Sequence, residues 1–297
     1  MSKKKNSLKL WVEGARLRTL PLAIAPVAIG AGAAVAAQAE NIGLDLLALA
    51  VALFLQIGVN FANDYSDGIR GTDATRVGPL RLTGSKSVRP EAVKFAAFAF
   101  FALAGLAGLA IVLITALWWL LAVGAAAILA AWFYTGGKRP YGYAGLGELA
   151  VFVFFGLVAT IGTSYIQSRE VNGPELFGGI AAGLFASAVL MVNNIRDREL
   201  DKHVGKRTLA VLIGRRASVA LFLLMVWVPF VLLAMQVVVY PATFFAYASL
   251  FLVLPVTLIV LTAKTPRELI LVLKLTSFAA LAYGILLGWG LAVVNFG

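Results

Sequence analysis

Asn194, Asp197 and Asp201 fall at i, i+3 and i+7 in the stretch NNIRDRELDKHVGKRTL, directly after an apolar run. On a continuing helix that spacing puts all three on one face. A second group repeats the theme. After ALAVALFLQIGVNFA comes NDYSDGIRGTD, where Asn63 and Asp64, Asp67 and Asp73 put three of the chain's 14 acidic residues into eleven positions. Asn60, then Asn63 or Asp64, then Asp67 share the helical spacing. Gly68 and Gly71 are expected to break the helix, so that Asp73 comes from the loop. Carboxylates crowded on one face repel each other, and a bound cation reverses that sign. The chain has no cysteine and one histidine, His203, which excludes thiolate sites and sites built on several histidines. Oxygen donors alone point to the hard ions Mg2+ or Mn2+.

Base surrounds the acid. Arg70, Arg76 and Arg81 flank the first group; Arg196, Arg198, Lys202, Lys206 and Arg207 flank the second. Mg2+ usually binds through a few carboxylates plus substrate phosphates, so acids ringed by Lys and Arg describe a site for a metal–diphosphate complex. A third polar stretch, FYTGGKRPYGYAGLGE, adds Lys138 and Arg139 together with Tyr134, Tyr141 and Tyr143, and its Gly-Gly and Arg-Pro pairs mark a turn. Either acidic group alone reads equally well as an ordinary solvated helix end. Two of them, each preceded by asparagines inside an apolar run, favour a site. His203 reads as a loop residue, and runs such as GAGAAVAAQA read as close helix packing.

The elements that must hold these residues are membrane helices. The chain is 61% hydrophobic and 13% charged, with mean hydropathy +0.91, which no soluble domain of 297 residues matches. The reading is one all-α integral membrane domain over 1–297, with 1–15 as a basic N-terminal segment on the cytoplasmic side. About nine spans are expected, at roughly 19–38, 44–63, 93–114, 117–135, 146–167, 175–194, 217–239, 242–263 and 269–294. With the N-terminus inside, 24 of the 25 Lys and Arg residues fall on the cytoplasmic side and only Arg169 outside, a strong positive-inside asymmetry. The net charge of +11 then speaks of anionic headgroups rather than nucleic acid. Both aspartate groups face the cytoplasm, and the C-terminus lies outside.

Two aspartate-rich motifs on same-side loops after spans two and six of nine resemble the UbiA-type intramembrane prenyltransferases. ARLRTLPLAIAPV (15–27), RVGPLRLTGS (76–85), GGKRPYGYAGLGE (136–148) and NNIRDRELDKHVGKRTLAVLIG (193–214) are similar to the branch acting in menaquinone biosynthesis. One departure matters: the family's first motif is usually Asn followed by Asp at +4 and +8, whereas here Asn63 and Asp67 are followed by Asp73 at +10.

The resemblance implies a bundle around a lipid-accessible cavity in a prokaryotic plasma membrane. It also implies transfer of a polyprenyl group from an allylic diphosphate to 1,4-dihydroxy-2-naphthoate, with loss of diphosphate and CO2, to give demethylmenaquinone. On that reading two Mg2+ ions sit on Asn63, Asp64, Asp67, Asp73, Asn194, Asp197 and Asp201. Arg70, Arg76, Arg81, Arg196, Lys202, Lys206 and Arg207 neutralise the diphosphate. Tyr134, Tyr65, Tyr141 and Asn60, with Trp132 and Phe133, face the allylic cation. Lys138 or Arg139 holds the acceptor's carboxylate, and Glu148 takes a hydroxyl proton. Rival readings are another aromatic acceptor (4-hydroxybenzoate or homogentisate), a cation-coupled transporter, and a metal-dependent phosphatase. Acids gathered at one face, rather than at mid-membrane, speak against transport.

Overall fold

The computed structural model describes residues 7–72 and 80–293, so Asp73 and Arg76 lie outside the described residues. The chain begins with α1 (Ser7–Ala15) and α2 (Pro21–Ala36), joined by a 3-10 turn at Leu17–Thr19 and bent there by 49°. There follow α3 (Ile42–Arg70), α4 (Pro90–Thr115), α5 (Leu120–Phe133), α6 (Gly147–Ser168), α7 (Gly173–His203), α8 (Leu209–Val239), α9 (Pro241–Thr262) and α10 (Glu268–Ala292). No strand occurs among the described residues. Where no water reaches the backbone, helices satisfy their own N–H and C=O groups.

Seven of these helices are long and apolar enough to cross a bilayer, and the bent α1–α2 pair makes an eighth candidate. α5, at 14 residues, rises only about 21 Å against a hydrocarbon core of about 30 Å. Each expected span falls on one of α2 to α10. The differences lie at the charged ends. α3 runs on to Arg70 and α7 to His203, carrying Asp64 and Asp67, and Asp197 and Asp201, on continuous helix. Gly68 does not break α3. The helix ends at Gly71, whose φ of 72° suits glycine, while a Cβ on Gly68 would come within 2.4 Å of the Thr83 side chain.

α7 forms the axis of the bundle, packed by α2, α6, α8 and α10. Small residues let these backbones meet: a Cβ at Gly32 of α2 would lie 2.0 Å from the Gly288 carbonyl oxygen of α10. Phe95, Leu106, Val238 and Phe251 project outward from the bundle, where lipid tails replace water as their surroundings. α5 packs on α3 and α4 and makes no comparable contact with α6 among the described residues. That leaves a lateral cleft. At one end of it, Trp119 and Tyr165 meet edge-on with centroids 5.7 Å apart.

Candidate active site

α3 and α7 stand on opposite sides of a cavity of about 600 Å³. Along α3 its wall runs from Ala48 to Asp67, a rise of about 29 Å. Val51, Leu55, Val112, Ala127, Phe154 and Val158 line its body, and the polar groups gather at one end. Asn63 and Asp67 come from α3, Asn193, Asn194, Asp197 and Asp201 from α7. The two groups read from the sequence therefore share one mouth.

Lys206 joins them. Its ammonium lies 3.1 Å from Asp67 Oδ1 and 4.0 Å from Asp201 Oδ1, in surroundings nearly closed to solvent. Arg81 NH2 approaches Asp67 Oδ2 at 3.6 Å, and the Tyr143 hydroxyl donates to Asp67 Oδ1. Lys206 also sits over the Tyr143 ring at 4.5 Å, a cation–π contact. Burial, with the Asp67 charge next in weight, holds the Tyr143 phenol well above its ordinary pKa, so it remains a donor. On α7, Arg196 grips Asp197 in a fork with two bonds of 2.7 Å and donates a third to Asn193 Oδ1.

Supporting bonds set the other oxygens. Asn63 Oδ1 accepts from Thr135 Oγ1 at 2.7 Å, and Asn194 Nδ2 donates to Glu148 Oε1 at 2.8 Å. The loop between α5 and α6 is pinned over the mouth by Arg70, which donates to the Thr135 and Gly137 carbonyls. Within that loop Tyr134 and Tyr141 pack edge-to-face and both line the cavity. Tyr141 donates to the Ala130 carbonyl at 2.8 Å, and burial pushes its phenol up to about 12.

Several expected site residues are placed elsewhere. Asp64 points away from the cavity: its two oxygens accept the Leu82 and Thr83 backbone N–H groups at 2.8 Å each, so its charge is spent fastening the α3–α4 connection. Tyr65 stacks on Trp132 outside the cavity, and Phe133 is exposed on the outer surface. Lys138, Arg139, Lys202 and Arg207 are exposed and do not line the cavity. Arg70 and Arg196 hold protein groups rather than the open cavity. Glu148 is buried behind Asn194, not on the cavity wall. In their place Phe154 and Phe155 supply aromatic surface, and Arg16 joins Arg81 and Lys206 as the cations lining the cavity among the described residues. Helical spacing from Phe154 could have exposed that aromatic wall; Arg16 sat in a basic N-terminal run that reads simply as positive-inside charge.

The sequence pattern of the UbiA prenyltransferase family matches residues 23–278, most of the chain. The chain belongs to that family. The 1,4-dihydroxy-2-naphthoate octaprenyltransferase of Mycobacterium tuberculosis (strain H37Rv) is 47% identical over 289 residues, covering 97% of both chains. Among solved structures, the apo UbiA homolog of Aeropyrum pernix K1 superimposes with a TM-score of 0.69 over 95% of this chain and 99% of that one, at 17% identity. The UbiA homolog of Archaeoglobus fulgidus, bound to GPP and Mg2+, gives a TM-score of 0.66 over 93% and 98%, at 16% identity. These two show a shared fold.

The donor set of this UbiA-family chain fits a hard divalent cation. Every candidate ligand is oxygen, and the Lys206 ammonium between Asp67 and Asp201 marks a place where both helices stabilise positive charge. Among the described residues no three acidic side chains converge on one point, which suits an ion completed by oxygens of a bound phosphate rather than caged by protein alone.

Proposed function

We propose that this enzyme, a prenyltransferase by family, transfers a polyprenyl group from its diphosphate to 1,4-dihydroxy-2-naphthoate. The observation that carries the reading is the facing pair Asp67 and Asp201, bridged by Lys206 at the mouth of a deep apolar cavity. The relative that is 47% identical over 97% of the chain, named for this acceptor, supports the choice of substrate. The A. fulgidus homolog bound to GPP and Mg2+ supports a prenyl diphosphate and a divalent ion.

Mg2+ would be held by Asn63 and Asp67 on one side and by Asn194, Asp197 and Asp201 on the other, one ion for each helix. Its chemistry there is to neutralise the diphosphate as negative charge develops on the leaving oxygen. Lys206 and Arg81 reach the same space and add fixed positive charge. Tyr143 stays protonated and keeps Asp67 oriented. As the allylic C–O bond breaks, the electron pair leaves with diphosphate. The allylic carbon then sits among Tyr134, Phe154 and Phe155, whose ring faces stabilise a cation and whose bulk excludes water. The electron-rich naphthol carbon that bears the carboxylate forms the new C–C bond. Loss of that carboxylate as CO2 returns its electron pair to the ring and restores aromaticity, so the product is the quinol form of demethylmenaquinone. No external oxidant or base is consumed. The tail lies along the apolar cavity and reaches lipid through the cleft between α5 and α6. By the positive-inside asymmetry, the mouth faces the cytoplasm.

The test is purified enzyme with Mg2+, octaprenyl diphosphate and each acceptor in turn, with products identified by mass and CO2 trapped. Prenylated naphthalenediol with stoichiometric CO2 is the expected product. Turnover of 4-hydroxybenzoate or homogentisate in preference, or release of free polyprenol, would overturn the assignment.

A further inference from the structure

Glu148 stands in the first turn of α6, with its carboxyl turned toward α7, and is 4% exposed. One carboxyl oxygen, Oε1, accepts from Asn194 Nδ2 at 2.8 Å; the other, Oε2, is closed to solvent and has no hydrogen-bond partner among the described residues. An unpaired polar oxygen buried in an apolar span is costly, and a leucine would fill the place without that penalty. Nor is the acid needed to fasten the helices. Ser187 Oγ already ties α7 to the Glu148 backbone carbonyl at 2.9 Å, and Gly147 lets α6 come close, since a Cβ there would fall 3.1 Å from the Leu190 side chain.

What the carboxyl does is choose an orientation. A carboxamide has a donating end and an accepting end, and a half-turn of its terminal torsion exchanges them. Glu148 takes the NH2 of Asn194, so Oδ1 is the end left over. That oxygen accepts from nothing among the described residues, on a side chain that lines the cavity. Asn194 lies three positions before Asp197, about 4.5 Å along the helix. Across the mouth Asn63 is set differently, because its Oδ1 already takes the Thr135 hydroxyl at 2.7 Å. A carbonyl oxygen held ready beside carboxylates suits a hard cation; an NH2 in the same place would repel it.

We propose that Glu148 is a positioning residue for the metal site. By accepting from the Asn194 amide it holds Asn194 Oδ1 toward the mouth, where that oxygen joins Asp197 and Asp201 as a ligand for the divalent ion of α7. The inference rests on the metal–diphosphate reading above and places Glu148 behind the ligands rather than among them. It touches neither the diphosphate nor the reacting carbon. A partner of this kind fixes the ligand before the ion arrives, and losing one weakens metal affinity by about 10- to 100-fold.

The experiment uses the full chain in nanodiscs. Mn2+ binding is read by electron paramagnetic resonance with inorganic pyrophosphate present and no prenyl donor, against a protein-free Mn2+–pyrophosphate control. E148L should weaken Mn2+ affinity by about 10- to 100-fold and leave the melting temperature level or higher, because an apolar side chain suits a buried apolar place. E148Q keeps a carbonyl oxygen at the same reach and should restore affinity close to wild type. The double variant decides the route: in an N194A background, E148L should cause no further loss, because the amide through which it acts is gone. Should E148L fail to accumulate, E148M carries the same comparison. Unchanged Mn2+ affinity in the variant measured, or an equal loss with and without Asn194, overturns the positioning role. A wild type that binds no Mn2+ beside pyrophosphate fails the metal reading itself, and this inference with it, a separate outcome.

Discussion

Lys206 Nζ lies 3.1 Å from Asp67 Oδ1, a contact across 139 positions of sequence, and it reaches toward Asp201 from the same point. That ammonium spans carboxylates from two different helices, and Arg81 approaches the first of them at 3.6 Å. The expected outcome for Lys206→Met is a split. Mn2+ affinity in the absence of diphosphate, read by electron paramagnetic resonance, should rise because a competing cation is gone. Turnover with prenyl diphosphate should fall by about 100-fold or more, the scale for removing one fixed charge from a developing anion. If both quantities move the same way, Lys206 is not exchanging its carboxylates for phosphate.

Asp64 and Asp67 separate structure from chemistry within a single helical turn. Asp64→Asn replaces one of two acceptor oxygens facing the Leu82 and Thr83 N–H groups with an NH2 that opposes a donor. It should lower stability by about 2–4 kcal/mol, from a lost charge-assisted bond and a buried donor left unpaired, and leave the Mg2+ dependence of surviving activity intact. Asp67→Asn should reduce activity to background at every Mg2+ concentration, and should also lower the melting temperature because it removes the charge facing Lys206 and Arg81. Thermal unfolding in detergent alongside an Mg2+ titration distinguishes them.

How much of this was legible in the sequence follows from the range of the interactions. The face shared by Asn194, Asp197 and Asp201 is set by helix geometry alone, and α7 carries it as expected. That Asp64 turns away while Asp67 faces the cavity is decided by backbone donors 18 and 19 residues downstream, which helical spacing cannot report. Lys138 and Arg139 looked as suitable as Lys206. They are exposed because Arg70 pins the neighbouring carbonyls and fixes how the loop folds back. Arg16 was hidden for another reason: a basic residue before the first span already has an explanation in topology.

Tyr143 gives a prediction in pH. Burial and the Asp67 charge raise its pKa in the folded protein above the unfolded value of about 10. The folded state then binds the proton more tightly, so this contribution is fully present below about pH 10 and is lost as pH rises toward the folded pKa. Between pH 6 and 9 the phenol stays a donor to Asp67. Tyr143→Phe should therefore lower kcat/KM by a roughly constant factor, about 10-fold for one bond to a charged group, with the shape of the pH profile unchanged. A new inflection in the variant below pH 9 would show that the hydroxyl titrates in the working range.

Gly162 on α6 lines the cavity, and a Cβ built there meets no atom within 4 Å. Glycine inside a helix costs about 0.5–1 kcal/mol relative to alanine, so packing does not explain its presence. Open space for the tail does. Gly162→Ala should raise the melting temperature slightly and leave turnover alone, because one methyl group occupies room that is free. Gly162→Leu should keep the fold and narrow the tract below the mouth, so that geranyl or farnesyl diphosphate is used nearly as well as by wild type while octaprenyl diphosphate loses about 10-fold or more in kcat/KM, from overpacking of about 1–3 kcal/mol where the tail must pass. Equal loss for short and long donors would mean that the tail takes another path out of the cavity.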